Sequence, residues 1–129
     1  MYVGVLRVRL HIPGAHSLKD RRMVVRKVVD RVRARTGVSI AELGPLDRWQ
    51  LATLGLCTVS GEASTADEAL DKCLSVIENA ILGDAVVTSR ERELKHYEDT
   101  QYFGDIEVPA QKPAAWDDQD DDDAGDAER

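Results

Sequence analysis

Three features of this 129-residue chain predict an α+β fold in which two helices cover one face of a four-stranded antiparallel sheet. The first is the strict alternation of the N-terminal "YVGVLRVRLHI", the mark of a half-buried strand. The second is a pair of helical-period segments, each preceded by turn residues and followed by a glycine. The third is their order, β-α-β-β-α-β, whose right-handed crossovers place both helices on the same side of the sheet. This is the ferredoxin-like, split β-α-β arrangement.

The elements follow in turn. Tyr2, Gly4, Leu6, Val8, Leu10 and Ile12 share the face directed at the core, leaving Val3, Val5, Arg7, Arg9 and His11 on the other. Pro13 and Gly14 stop the strand. Ser17, with Asp20 three residues on, reads as an N-cap with a capping-box-like partner, so a helix starts near Leu18; Gly37 is its expected C′ residue. "VSIAEL" (38–43) is a second strand, "GPLDRW" a loop, and "QLATLGLCTVS" (50–60) a third strand, apolar or small on both faces. In "STADEALDKCLSVIENAILG", Ala66, Ala69, Leu70, Cys73, Val76, Ile77 and Ile81 repeat at helical spacing until Gly83, and "AVVTSRERELKHY" (85–97) makes the fourth strand. The domain is therefore expected over 1–97. Residues 98–112 are an extension with partial order, in which Tyr102, Phe103, Ile106 and Val108 can fold back on the sheet. Residues 113–129 are an acidic tail too polar to offset its ordering entropy, hence disordered.

Charge is distributed unevenly along the chain. The net charge of −7 equals that of the tail alone, so the preceding 112 residues balance. Within them, residues 1–48 carry +7 and residues 49–112 carry −7. The segment "HSLKDRRMVVRKVVDRVRAR" (16–35) concentrates eight Lys or Arg residues in the first helix. On a helical wheel, Leu18, Val25, Val28, Val29 and Val32 form the packing arc. Lys19, Arg22, Arg26 and Arg33 occupy one flank, interrupted by Asp30, and Lys27, Arg31 and Arg35 the opposite one.

Such a surface suits phosphates, because spaced guanidinium and ammonium groups neutralise several at once, and RNA is the first partner to consider. The plainer account is a solvated helix whose cations pair with acidic residues of the body or the tail. His11, His16 and Ser17, around the Pro-Gly turn at the helix N-terminus, form a second candidate anion site, with Asp20 competing as a built-in anion. On the far face of the sheet, Arg7 and Arg9 are expected to form a cross-strand charge ladder with Glu91 and Glu93. The central strands place no aromatic there, which disfavours base stacking on the sheet itself. The same face, with Val3, Val5, Thr53, Gly55 and Cys57, is the place where a second copy would close.

Reaction motifs are lacking: the sequence holds no G-x-S-x-G, Walker loop, H-E-x-x-H or Cys-x-x-Cys. Cys57 and Cys73 lie without metal-ligand spacing and are expected to be buried thiols. The aspartate run lacks the pattern of a calcium loop. No apolar run approaches the roughly 18 residues of a membrane span, and the N-terminus has no signal-peptide pattern, so a cytoplasmic protein is expected.

"GVLRVRLHIPGAHSLKDRR", "VSIAELG" and "DRWQLATLG" resemble the YlxP-like family of small bacterial proteins, described as a domain of unknown function. The resemblance runs to about residue 97 and implies a ferredoxin-like fold. Family genes often lie between those of a translation initiation factor and a ribosome-binding factor, which implies a link to translation or ribosome maturation. No catalytic residue is implied. Ser17, Leu18, Lys19, Arg21, Arg22, Trp49 and Gln50 fall at the matching motifs and are the candidates for the family's function, Lys19, Arg21, Arg22 and Gln50 having the least structural reason to be there. Of these, Leu18 reads as core, Ser17 as a cap and Trp49 as a lid on the sheet end, while Arg21, on the apolar arc, is expected to reach Glu42 or Asp47. The expectation is a non-enzymatic RNA- or ribosome-associated module without cofactor or metal, the alternative a self-associating or protein-binding scaffold that uses the open sheet face.

Overall fold

The computed structural model describes residues 1–44 and 47–98. Its elements are β1 (Tyr2–His11), α1 (Leu18–Arg35), β2 (Ser39–Leu43), β3 (Leu51–Ser60), α2 (Ala63–Ala80) and β4 (Val86–His96). All neighbouring strands are antiparallel and the sheet order is β2-β3-β1-β4, so the fold is ferredoxin-like, with β1 and β3 central. Expectations for residues 99–129, including the docking of Tyr102, Phe103, Ile106 and Val108 and the order of the tail, lie outside the described residues.

The alternation in β1 becomes the two faces of the sheet. Leu6, Val8 and Leu10 are fully buried beneath the helices, while Val5, Arg7 and Arg9 are exposed on the other side. Leu54 and Leu56 of β3, Val28 and Val32 of α1, and Leu70, Cys73 and Ile77 of α2 complete the same core. Each such aliphatic side chain removed from water contributes on the order of 1.5–3 kcal/mol, which is what holds the helices to the sheet.

Helix α1 starts as its sequence dictates. The Asp20 amide donates to Ser17 Oγ at 3.1 Å, and the His16 amide donates to the Asp20 carboxylate at 3.0 Å. Its end differs from the expected glycine closure. Thr36 takes an extended conformation (φ −135°, ψ 160°), its hydroxyl donates to the Val32 carbonyl at 2.8 Å, and the Val38 amide donates back to that hydroxyl. A threonine therefore stops the helix by occupying a last-turn carbonyl, and Gly37 takes no left-handed conformation. Gly83 does (φ +84°), in the turn from α2 to β4, a geometry that favours glycine.

The outer face of β3 is less buried than its composition suggests. Cys57 is exposed, contrary to the expectation for that thiol, because no layer covers the second face of the sheet among the described residues. Cys73 is buried as expected and its thiol donates to Thr36 Oγ1 at 3.7 Å; burial pushes its pKa up, an effect opposed by that hydrogen bond and by Lys72. Among the described residues no helix is long and apolar enough to cross a membrane.

Candidate nucleic-acid interface on the first helix

Packing of Val25, Val28 and Val32 against the sheet fixes the rotation of α1 and so decides where its cations point. Lys19, Arg22, Arg26, Arg31 and Arg35 are exposed, and none forms an ion pair among the described residues. Lys27 is half-buried and pairs with Asp84, in the turn after α2. Arg33 donates from Nη2 to the Ile40 carbonyl at 3.2 Å, which ties its head to edge strand β2. Among the described residues, the seven cations nominated by the sequence thus fall into five with unpaired heads and two engaged by the fold.

Arg22, Arg26 and Arg33 line a shallow groove of about 460 Å³ between α1 and β2, with Asp30 and Glu42 in its lining. A polyanion entering there meets two open guanidinium groups, a third held against the strand, and an apolar floor that includes Val25 and Val29.

Arg21 is of a different kind. It is only 2% exposed, its Nε donates to the Leu51 carbonyl at 2.7 Å, and its Nη2 pairs with Glu42. Of the two acids its position on the apolar arc pointed to, the structure selects Glu42. The guanidinium therefore stitches the first turn of α1 to β2 and β3, a structural task that removes it from the binding surface.

Gln50 also has a structural role. Its side-chain amide donates to the carbonyls of Pro13 (3.1 Å) and Ala15 (3.4 Å), and its own backbone carbonyl accepts from the Ile12 amide, so it clasps the Pro-Gly turn. The loop it anchors presents Trp49, 51% exposed, in a shallow depression with His11 and Arg48. Trp49 is therefore an accessible ring rather than a closed lid. Trp49 lies outside the strands, in a polar loop where the sequence already places it.

The His11, His16 and Ser17 candidate finds its helix terminus already served by Asp20. Ser17 and the His16 amide are both engaged with Asp20, which supplies the negative charge the terminus favours. His11 lies instead beside Trp49. Among the described residues, no group of three or more His, Cys, Asp and Glu side chains could hold a metal ion.

The expected ladder on the open sheet face is half formed. Arg7 donates from Nε to Glu91 at 2.7 Å, but Arg9 stands opposite Ser89 and Glu93 opposite Val5, because the register carries the two charges past one another. On the helix side of β4, Arg90 donates to Glu78 at 2.7 Å, and Arg92 to Asp71 at 2.7 Å and Asp67 at 3.1 Å. The hydrogen bond to Asp71 leads the effects that hold the Arg92 pKa above its ordinary value.

Taken together, the topology and site define a ferredoxin-like α+β domain with a cationic first helix. Residues 3–92 match the family described as a protein of unknown function, DUF503, and the chain belongs to that family. It is similar to the uncharacterized protein YlxP of Bacillus subtilis (strain 168), 31% identical over 77 residues that cover 60% of this chain and 84% of the relative. Among solved structures it is similar to one assigned as a chlorite dismutase, with a TM-score of 0.53 at 8% identity, covering 79% of this chain and 46% of that one. The chain thus spans less than half the length of that protein. Another similar structure is assigned as an antibiotic biosynthesis monooxygenase from Chloroflexus aurantiacus J-10-fl, with a TM-score of 0.49, 11% identity, and coverage of 74% and 95%. At 8% identity the first of these two likenesses is one of fold.

Proposed function

We propose that this protein is a non-enzymatic RNA- or ribosome-associated module that holds phosphates on the outer surface of α1. The observation that carries the reading is that Lys19, Arg22, Arg26, Arg31 and Arg35 are exposed on one helix and without an ion pair among the described residues, while Arg7, Arg21, Lys27, Arg90 and Arg92 are paired. Unpaired guanidinium groups release counterions when they meet phosphates, which favours polyanion binding at low salt. Trp49, beside His11 and Arg48, supplies a ring on which an unpaired base can stack, at the end of the domain where Gln50 joins the loop to the turn before α1. The bacterial gene setting implied by the family resemblance agrees with a role in translation or ribosome maturation.

Ribosome co-sedimentation with the Arg22→Glu/Arg26→Glu variant tests the reading. It expects at least a roughly tenfold loss of association at low salt with the melting temperature unchanged, since both heads lie in solvent. Undiminished association in a folded double variant rejects α1 as the contact surface.

A further inference from the structure

The face of the sheet turned away from the helices is uncovered among the described residues, and its register arranges it in rows across β2, β3, β1 and β4. Ser39, Cys57, Val5 and Glu93 form one row. The next is Ala41, Gly55, Arg7 and Glu91, and the one after it is Leu43, Thr53, Arg9 and Ser89. Val5 and Leu43 are 43% and 39% exposed, and they line an open apolar depression of about 840 Å³. Leu43 lies across Gly55, where an added Cβ would come within 3.0 Å of its Cδ1, so the absence of a side chain keeps the centre of this face low.

Its charges are complementary to themselves. In the middle row Arg7 and Glu91 already satisfy each other. In the outer rows Arg9 and Glu93 have no ion pair among the described residues. Glu93 is opposite Val5, four residues along β1 from Arg9, so the two charges stand roughly 13 Å apart along the strand direction, too far to pair within one chain.

We propose that this face docks on the same face of a second copy, about a two-fold axis that crosses the strands over the Arg7 row. Such an axis lays the Glu93 row of one copy over the Arg9 row of the other. Each Arg9 head then comes within reach of the partner copy's glutamate, twice by symmetry, while Val5 packs on the arginine stem. Three strands roughly 30 Å long and the shorter β2, about 4.8 Å apart, offer on the order of 500 Å² per copy, near the lower limit of a stable interface. The dimer is therefore weak, dissociating in the micromolar range, and the outer surface of α1 stays open on both sides of it.

Sedimentation velocity of the full chain from roughly 1 to 200 µM, at moderate salt, tests this. The unmodified protein shows a concentration-dependent dimer. Arg9→Glu and Glu93→Arg each weaken it by about tenfold or more, since each sets like charges together across the axis, and the combined Arg9→Glu/Glu93→Arg chain recovers to within about threefold of the original. Recovery cannot arise inside one chain, where the two residues do not meet, and unchanged melting temperatures separate lost docking from lost folding. A parallel readout is Cys57, the exposed thiol on this face, whose reaction with a thiol reagent slows as the dimer fills while buried Cys73 stays silent. A chain monomeric throughout overturns the proposal and leaves the face to its own residues 99–129 or to a different protein. A dimer indifferent to the single reversals, or not restored by the double one, overturns it as well.

Discussion

The two cationic regions of this domain differ in whether the fold satisfies their charges. On β4, Arg90 and Arg92 turn toward α2 and meet Glu78, Asp67 and Asp71. On α1, five exposed cations meet no carboxylate among the described residues. Both regions lie on the helical side of one sheet, so fold alone does not explain the difference. The sequence places acids at helical spacing on α2 beside a basic edge strand, whereas α1 borders β2, whose acid Glu42 is already taken by Arg21. Charges that close on one another belong to the structure; charges left open are available to a partner.

Breaking the structural stitch should cost most. Arg21→Ala leaves the partly buried Glu42 and the Leu51 carbonyl without their donor, and we expect about 3 kcal/mol of lost stability in urea unfolding, with Arg21→Lys recovering only part of it. A loss below about 0.5 kcal/mol would contradict this structural role for Arg21. Arg92→Ala should cost about 1 kcal/mol, because its partners Asp67 and Asp71 are half or more in water, and it should leave RNA association unchanged. Trp49→Leu should weaken RNA association about threefold without altering the melting temperature, while equal binding would remove the ring from the interface. Deleting residues 113–129, which carry −7, should tighten association severalfold at low salt, and an equal affinity would rule out competition by the tail.

The smallest effect concerns Cys73. Its thiol pKa is raised in the folded state, so its contribution is fully present below the unfolded thiol value of about 8.5 and is lost as pH rises through the folded value. Stability of the unmodified protein should therefore fall on the alkaline side, and the gap in urea midpoint between it and Cys73→Ala should narrow between about pH 7 and pH 10.

Most of the architecture was legible because it rests on periodicity. Alternation in β1, the packing arc of α1 and the order of elements each depend on local spacing, and the predicted strand and helix bounds fall within a few residues of those observed. Buried Arg21 was legible for the same reason, since its angle on the wheel conflicted with its charge. What escaped was set by tertiary context. The end of α1 depends on a Thr36 hydroxyl reaching Val32, which competes with a neighbouring glycine in a way no composition rule resolves. Exposure of Cys57 depends on whether anything covers the sheet. The missed Arg9–Glu93 rung depends on register, since β1 and β4 pair antiparallel and the two charges diverge from the Arg7–Glu91 rung. Which of the basic residues on α1 stay open likewise turns on two distant partners, Asp84 and the Ile40 carbonyl.

A salt titration of RNA association with two charge-matched variants addresses the contrast between the two cationic regions most directly. Arg22→Gln/Arg26→Gln and Arg90→Gln/Arg92→Gln each remove two positive charges from the same domain. The first should lower affinity and flatten the dependence of log affinity on log salt by about one to two units, roughly one for each phosphate no longer neutralised, while the second leaves the slope unchanged. Equal losses from both pairs would show that net charge, and not the open side of α1, governs the association.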